Sequence, residues 1–308
     1  MTKKVERSVS DRRGIIGCSQ LGQLLNVSSY GTPYNVYQDF IGETKGEFSD
    51  EVKESMAMGT FFEEHIANYA AKKYGVKIRR SNKAYVHPKF PEFICHPDRL
   101  IIGKIDGLRI GVEIKMVQPF SPGWGEPDTD EVPDDYLLQS EGYITCKVCD
   151  IVWLFVMKGN RIIRYIIKKD VALINVIETG VGDFLEKVKS GFVFEPDNYE
   201  LVCKKYNRAD PEKIITADDD IQCKYNEYKE KEHQYKSLKK ELDKIKGEIG
   251  LYMKDNYRLD DNEGNKLVTF GSSSMTSFDK KAFEKENPEM YKKYTSIKHV
   301  RRMTFSRR

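Results

Sequence analysis

The chain has 308 residues, with 51 Lys or Arg against 48 Asp or Glu and a formal charge of +3. So close a balance excludes coating of nucleic acid by net charge, and any such grip must come from local patches such as Lys72-Lys73, Arg79-Arg80 and Arg301-Arg302. No run reaches the ~20 apolar residues of a membrane span, and the opening MTKKVERSVSDRR lacks an apolar secretory segment, so the expected setting is cytoplasmic with the six cysteines as thiols.

In chain order the periodicities predict helices over 19–27, 33–42 and 51–74, then strands near 83–87, 92–95, 99–105 and 108–117. A Pro/Gly-rich loop, MVQPFSPGWGEPDTDEVP, precedes a helix over 134–147, strands over 151–158 and 161–168, and a helix over 170–189. The sum is an α/β fold with a mixed central sheet flanked by helices. Pro196 and Pro211 with mixed charges mark a connector over 196–217. We therefore expect a first domain over 1–195 and a C-terminal module over 218–308. In that module a long charged helix over 218–256 carries Leu238, Leu242, Ile245, Ile249 and Tyr252 as a seam that asks for a partner helix. A strand at 266–271, a helix at 279–286, another from Pro288 and a last strand at 298–305 complete a small α+β extension.

The chemistry concentrates between these elements. In GVEIKMV, side-chain alternation sets Glu113 and Lys115 on one face and Ile114 on the other. Asp98, in CHPDRLII, follows a Pro that ends one strand, so its carboxylate is expected to meet Glu113 across a hairpin. Two carboxylates held close repel, and a proton or a divalent cation relieves them. A plain surface Glu–Lys pair accounts for the spacing as readily. Upstream, Met56, Gly59, Glu63, Ile66 or Ala67, and Ala70 share a helical stripe in which Glu63 is the only charge, while Glu64 turns with Asn68 to the polar side. An inward Glu63 needs a cation, a proton or a donor. Ser19 reads as a helix N-cap, a position whose free amides can also hold a phosphate. Gln139 points with Tyr136, Tyr143 and Cys146 along one helix face, where an amide bonded to a buried tyrosine accounts for it at least as readily as contact with metal-bound water, with Pro133 in the first turn and Asp134 and Asp135 near the positive end.

The order GCSQLGQLL, GTFFEE, HPDRL, VEIK and VPDDYLLQSEGYITC resembles the YqaJ-type viral recombinase family, the group that includes lambda-exonuclease-like proteins, over roughly residues 10–190. The resemblance implies a PD-(D/E)XK nuclease core, with the C-terminal helical arm and α+β extension outside the match. It implies Mg2+-dependent 5′-to-3′ degradation of one strand from linear double-stranded DNA ends, with two ions and Mn2+ as a substitute. The remaining 3′ tail would pass to a single-strand annealing protein of the RecT or Red-beta type in the cytoplasm of a bacterial host, from a phage or prophage gene. It also implies a homo-oligomeric ring trimer. Carried over by motif, Asp98 is the ligand shared between the ions, Glu113 and the Ile114 carbonyl are further ligands, and Lys115 is the base or water-orienting group. Glu63 supports the metal site and Gln139 matches the helix glutamine, while Arg12 and Ser19 match the grip on a terminal 5′-phosphate, with Arg13 as substitute if the register slips by one.

The chain departs from this pattern at Arg99, where the family usually has Gly after Pro-Asp. A non-glycine residue excludes a turn with positive φ, and Arg99 is expected to face phosphate or solvent. Glu141 replaces a second glutamine and is placed outside the site; His96 reads as a strand-end side chain and Trp124 as a packing plug. Cys146-Lys147-Val148-Cys149 raises the question of zinc or an iron–sulfur cluster but has no second close pair among Cys18, Cys95, Cys203 and Cys223, and Cys146 and Cys149 are expected to be small packing residues on a helix. Two other activities suit the same residues: a structure-selective endonuclease, and a non-catalytic DNA-binding or assembly protein using the helical arm.

Overall fold

The computed structural model describes residues 13–43, 50–296 and 301–305. Contacts divide the chain into two units, Met1–Val202 and Cys203–Arg308.

The first unit opens with β1 (Ile16–Gly17), a 3-10 turn (Cys18–Gln20), α1 (Leu21–Leu24), α2 (Pro33–Ile41) and α3 (Asp50–Lys73). Four short strands follow, β2 (Ile78–Arg80), β3 (Tyr85–Val86), β4 (Phe93–Cys95) and β5 (Arg99–Ile101), then β6 (Ile110–Val117), α4 (Asp134–Thr145), β7 (Ile151–Lys158), β8 (Arg161–Lys168) and α5 (Val171–Lys189). A five-stranded sheet runs β2-β5-β6-β7-β8, with β6 and β7 parallel and the other neighbours antiparallel; a smaller sheet runs β1-β4-β3. The expected mixed α/β sheet flanked by helices is observed. Strands Ile16–Gly17 and Ile78–Arg80 escaped the sequence reading because two or three residues carry too little alternation to count.

The parallel step from β6 to β7 requires a crossover, and α4 supplies it. Register then fixes which side chain meets which helix. Glu113 lies beside Leu154 and Lys115 beside Val156, so these face the core that α1, α4 and α5 cover. Val112 and Ile114 face the opposite way with Trp153 and Phe155, onto Ile66, Ala67 and Ala70 of α3. Gly142 lets α4 cross the 3-10 turn: a Cβ there would lie 2.7 Å from Cys18 Sγ and 2.9 Å from Leu21 Cδ1.

Helix α6 (Tyr199–Lys205) falls within the stretch read as a connector. In the second unit α7 (Asp219–Met253) starts at Asp218, whose carboxylate accepts from Ile221 N, and Leu238, Leu242 and Ile245 on its seam are exposed. Strands β9 (Arg258–Asp260) and β10 (Lys266–Thr269) form an antiparallel hairpin, followed by α8 (Lys280–Glu286) and α9 (Pro288–Tyr294). The last strand, expected over 298–305, is not formed in described residues 301–305; Phe305 instead stacks on Tyr228 with ring centroids 3.7 Å apart. No helix among the described residues is long and apolar enough to cross a membrane.

Candidate active site

The hairpin of β5 and β6 pairs Arg99 with Val112, which sets Asp98, one residue earlier, level with Glu113. Asp98 Oδ2 accepts from the Ile114 backbone N–H at 2.8 Å. Burial first, then the nearby Glu113 charge, pushes the Asp98 carboxyl well above the usual carboxylate range, against the opposing pull of Lys115. Lys115 Nζ reaches Glu113 Oε1 at 2.5 Å. Burial works to lower the Lys115 proton affinity, but Glu113 and Asp98 outweigh it, so the net shift is upward and the ammonium stays charged.

Helix α4 completes the arrangement. Gln139 Nε2 donates to Glu113 Oε1 at 2.7 Å and to Tyr143 Oη at 2.9 Å, and the Tyr143 hydroxyl donates to Glu113 Oε2 at 2.6 Å. Burial, with the Glu113 and Asp98 charges, raises the Tyr143 phenol well above its ordinary value and keeps it a donor. Both oxygens of the buried Glu113 are thus held in a fixed orientation. The expected hydrogen bond from the Gln139 amide to a buried tyrosine is formed with Tyr143, but the bond from Tyr143 to Glu113 was not foreseen. Its signal was the four-residue spacing from Gln139, which puts the two on one helix face. The lysine lies 5.6 Å from the Tyr136 ring centroid, and Trp124 stacks on that ring at 5.2 Å, a packing role as expected.

Asp98, Glu113, Lys115 and Gln139 therefore converge, whereas Glu63 goes elsewhere. Its Oε1 accepts from Arg99 Nη1 at 2.6 Å, while Glu64 Oε2 accepts from Arg99 Nη2 at 2.9 Å and lies 3.2 Å from Arg80 Nη2. Register explains this: Arg99 opposes Val112, so it points to the α3 face, opposite to Glu113. The guanidinium side chain is 4% exposed, which corrects the expectation that it faces phosphate or solvent. It also donates to the Asp98 backbone carbonyl at 2.8 Å, tying the two faces together through one residue. Glu64, expected to turn away, shares this clamp at 51% exposure against 28% for Glu63. The expected stripe holds for Ile66, Ala67 and Ala70, but Met56 is exposed.

Ser19 is exposed within the 3-10 turn and does not cap it; Gly17 occupies the cap position, where its N–H donates to Gln20 Oε1 at 3.0 Å. Gln20 takes over because its buried amide also donates to Asp39 Oδ2 at 2.9 Å. Arg12 lies outside the described residues. Glu141 is buried away from Glu113, accepting from Asp170 N at 2.9 Å.

The donor set suits a divalent cation: hard carboxylate oxygens, one backbone carbonyl, and an excess of buried negative charge that a proton or cation must relieve. One oxygen of Asp98 is fixed by a backbone amide, and the other takes no hydrogen bond among the described residues.

Comparison with known proteins agrees with the motif order. Residues 9–148 match the profile of the YqaJ-like viral recombinase domain, so the resemblance to that family is shown over this segment. The chain is 23% identical over 301 residues to the uncharacterized protein YqaJ of Bacillus subtilis (strain 168), covering 95% of this chain and 91% of the relative. Among solved structures it is similar to the alkaline exonuclease LHK-Exo from Laribacter hongkongensis, at 19% identity and a TM-score of 0.45, over 63% of this chain and 94% of the other. A phage-related exonuclease from Haemophilus somnus 129PT aligns at 13% identity and a TM-score of 0.41, over 57% and 96% of the two chains.

Proposed function

We propose that this chain is a Mg2+-dependent nuclease of the phage exonuclease kind, degrading linear double-stranded DNA 5′ to 3′ and leaving a 3′ tail for an annealing protein. The observation that carries the reading is the convergence of Asp98 and Glu113 with a charged Lys115 on one face of β6. Asp98, Glu113 and the Ile114 carbonyl would hold the cation. When bound, Mg2+ supplies charge stabilisation for the attacking and leaving oxygens of an in-line displacement at phosphorus.

The remaining work falls to the side chains. Gln139 and Tyr143 fix the orientation of Glu113, so that its carboxylate keeps one geometry as substrate enters. Lys115, anchored on Glu113 as a charged ammonium, is positioned to orient a water by donating to it, and of the two roles carried over by motif this favours water orientation over that of a base. We assign Glu63 an indirect role: by holding Arg99, which donates to the Asp98 carbonyl, it sets the start of β5. A second ion would draw its carboxylate from this same group only by competing with Arg99. Ser19 and Arg12 are assigned to the terminal 5′-phosphate, and a ring trimer with Mn2+ as a substitute ion remains part of the proposal.

Digestion of end-labelled linear duplex, nicked circle and closed circle, with and without Mg2+, tests the reading. We expect nucleotide release from linear DNA alone, only with Mg2+, and faster from 5′-phosphate than from 5′-hydroxyl ends. Cutting of closed circles would instead make the chain an endonuclease, and no Mg2+-dependent release from any substrate would overturn catalysis.

A further inference from the structure

Behind the carboxylates lies a second group of chemically active side chains that the cysteine spacing concealed. Cys18 in the 3-10 turn, Cys95 at the end of β4 and Cys146 just past α4 are all buried, and their sulfurs lie within 4.8 Å of one another. Seventy-seven residues separate the first two and fifty-one the last two, so no local motif announces the group. Cys146 and Cys149 are not helix residues as expected, because α4 stops at Thr145. Cys149 packs by Gly111, where a Cβ would lie 2.8 Å from its sulfur, and it stays outside the group.

We propose that Cys18, Cys95 and Cys146 form a binding site for one soft d10 metal ion, Zn2+ or Cu+. Metal–sulfur bonds of about 2.3 Å place the sulfurs of a three-thiolate site roughly 4 Å apart, a separation these side chains meet with small rotamer changes. An iron–sulfur cluster takes four protein ligands, whereas three sulfurs complete a trigonal Cu+ site and leave Zn2+ one position for a water. A disulfide requires sulfurs about 2.05 Å apart and would leave the third thiol behind.

Charge also favours the ion. Thiolates in this apolar core carry a desolvation penalty unless a cation balances them. All three ligands bind as thiolates, so the ion offsets most of their charge and the three displaced protons pass to solvent as it binds during folding. In the ion-free protein the Cys18 thiol donates to the Ile94 carbonyl at 3.7 Å. Among the described residues His87 does not compete as a ligand. Its Nδ1 accepts from the Lys89 and Phe90 amides, and its Nε2 faces Glu178 at 3.3 Å.

The site would pin three elements that reach the carboxylates. Cys95 precedes Asp98 by three residues, Cys146 follows Tyr143 by three, and Cys18 adjoins Ser19. The proposal is independent of the nuclease reading, since it concerns a structural ion.

The test is elemental analysis of the full chain purified under reductant without chelator. We expect about one equivalent of Zn or Cu per chain, the analysis itself telling the two apart. It should be lost in Cys146→Ser and Cys95→Ser, and kept in Asp98→Asn and in the Cys203→Ser/Cys223→Ser double variant. Should the core substitutions block folding, wild-type chain refolded with Cd2+ supplies the answer: a thiolate-to-cadmium ultraviolet band saturating at one equivalent, with a raised Tm. Metal-free wild type that shows no such band, or a disulfide joining two of the three cysteines in the purified protein, overturns the proposal.

Discussion

The two faces of the central sheet handle carboxylates in opposite ways. On the α3 face, Glu63 and Glu64 meet Arg99 and Arg80, two anions against two cations, all supplied by the chain. On the α4 face, Asp98 and Glu113 meet one cation, Lys115, and the deficit shows in the upward shift of the Asp98 carboxyl. Under the proposed reading, the negative charge left over on the α4 face is what a bound cation would balance. Arg99 and the group of Asp98, Glu113 and Lys115 take opposite faces of one hairpin by side-chain alternation, while α3 brings Glu63 and Glu64 and β2 brings Arg80.

The sharpest way to break the contrast is to remove the lone cation of the α4 face. Lys115→Ala is expected to lower cleavage of linear duplex by about 10²–10⁴-fold while binding in a mobility-shift assay changes little. An active Lys115→Ala would remove the amine from the chemistry and leave it as a charge balance for Glu113.

The next largest effect lies on the α3 face. Arg99 is the buried member of its clamp, so truncating a partner strands a desolvated guanidinium. Glu63→Ala is expected to lower unfolding free energy in urea by about 3 kcal/mol. Glu64→Ala should cost far less, because Glu64 is half exposed and water replaces it. Mn2+ affinity, measured by calorimetry, should be unchanged in Glu63→Ala. A loss of Mn2+ affinity with unaltered stability would instead move Glu63 into the ion site.

Asp98→Asn reverses the usual direction. Asparagine keeps the acceptor that Ile114 N uses and removes the repulsion with Glu113, so ion-free protein should gain stability even as activity is lost. Added Mg2+ should raise the Tm of wild type and leave Asp98→Asn unmoved. Equal Mg2+ shifts in both would mean that the cation binds elsewhere.

Much of this was legible in residue order. The alternation in GVEIKMV fixed that Glu113 and Lys115 share a face, and β7 and β8 fall on their expected bounds because eight-residue strands carry enough pattern to read. The hairpin that joins Asp98 to Glu113 followed from the Pro before Asp98. What escaped depends on distant partners. Glu63 carried an inward signal, but its partner lies thirty-six residues away, and Arg99 read as an exposed departure rather than that partner. Ser19 has the right chemistry for a cap, yet Gln20 wins because Asp39, on another helix, holds its amide. The three converging cysteines are likewise a product of tertiary path, which spacing rules for metal motifs do not sample.

Glu141 supplies the control for the comparison, a buried carboxylate that neither an arginine nor a bound ion serves. Its Oε1 accepts from Asp170 N, its Oε2 has no hydrogen-bond partner among the described residues, and burial raises its carboxyl to about 7. The folded state therefore holds the extra proton. Its contribution to stability is fully present below the ordinary carboxylate range and is lost as pH rises through about 7. Glu141→Gln, which keeps the acceptor for Asp170 N and cannot ionise, should flatten that slope. Relative to wild type, the variant should gain on the order of 2 kcal/mol between pH 5 and pH 8, as followed by urea melts. Mg2+ should leave this difference untouched, whereas it should erase the gain of Asp98→Asn. A proton relieves Glu141, the proposed cation would relieve Asp98, and the two melts separate them.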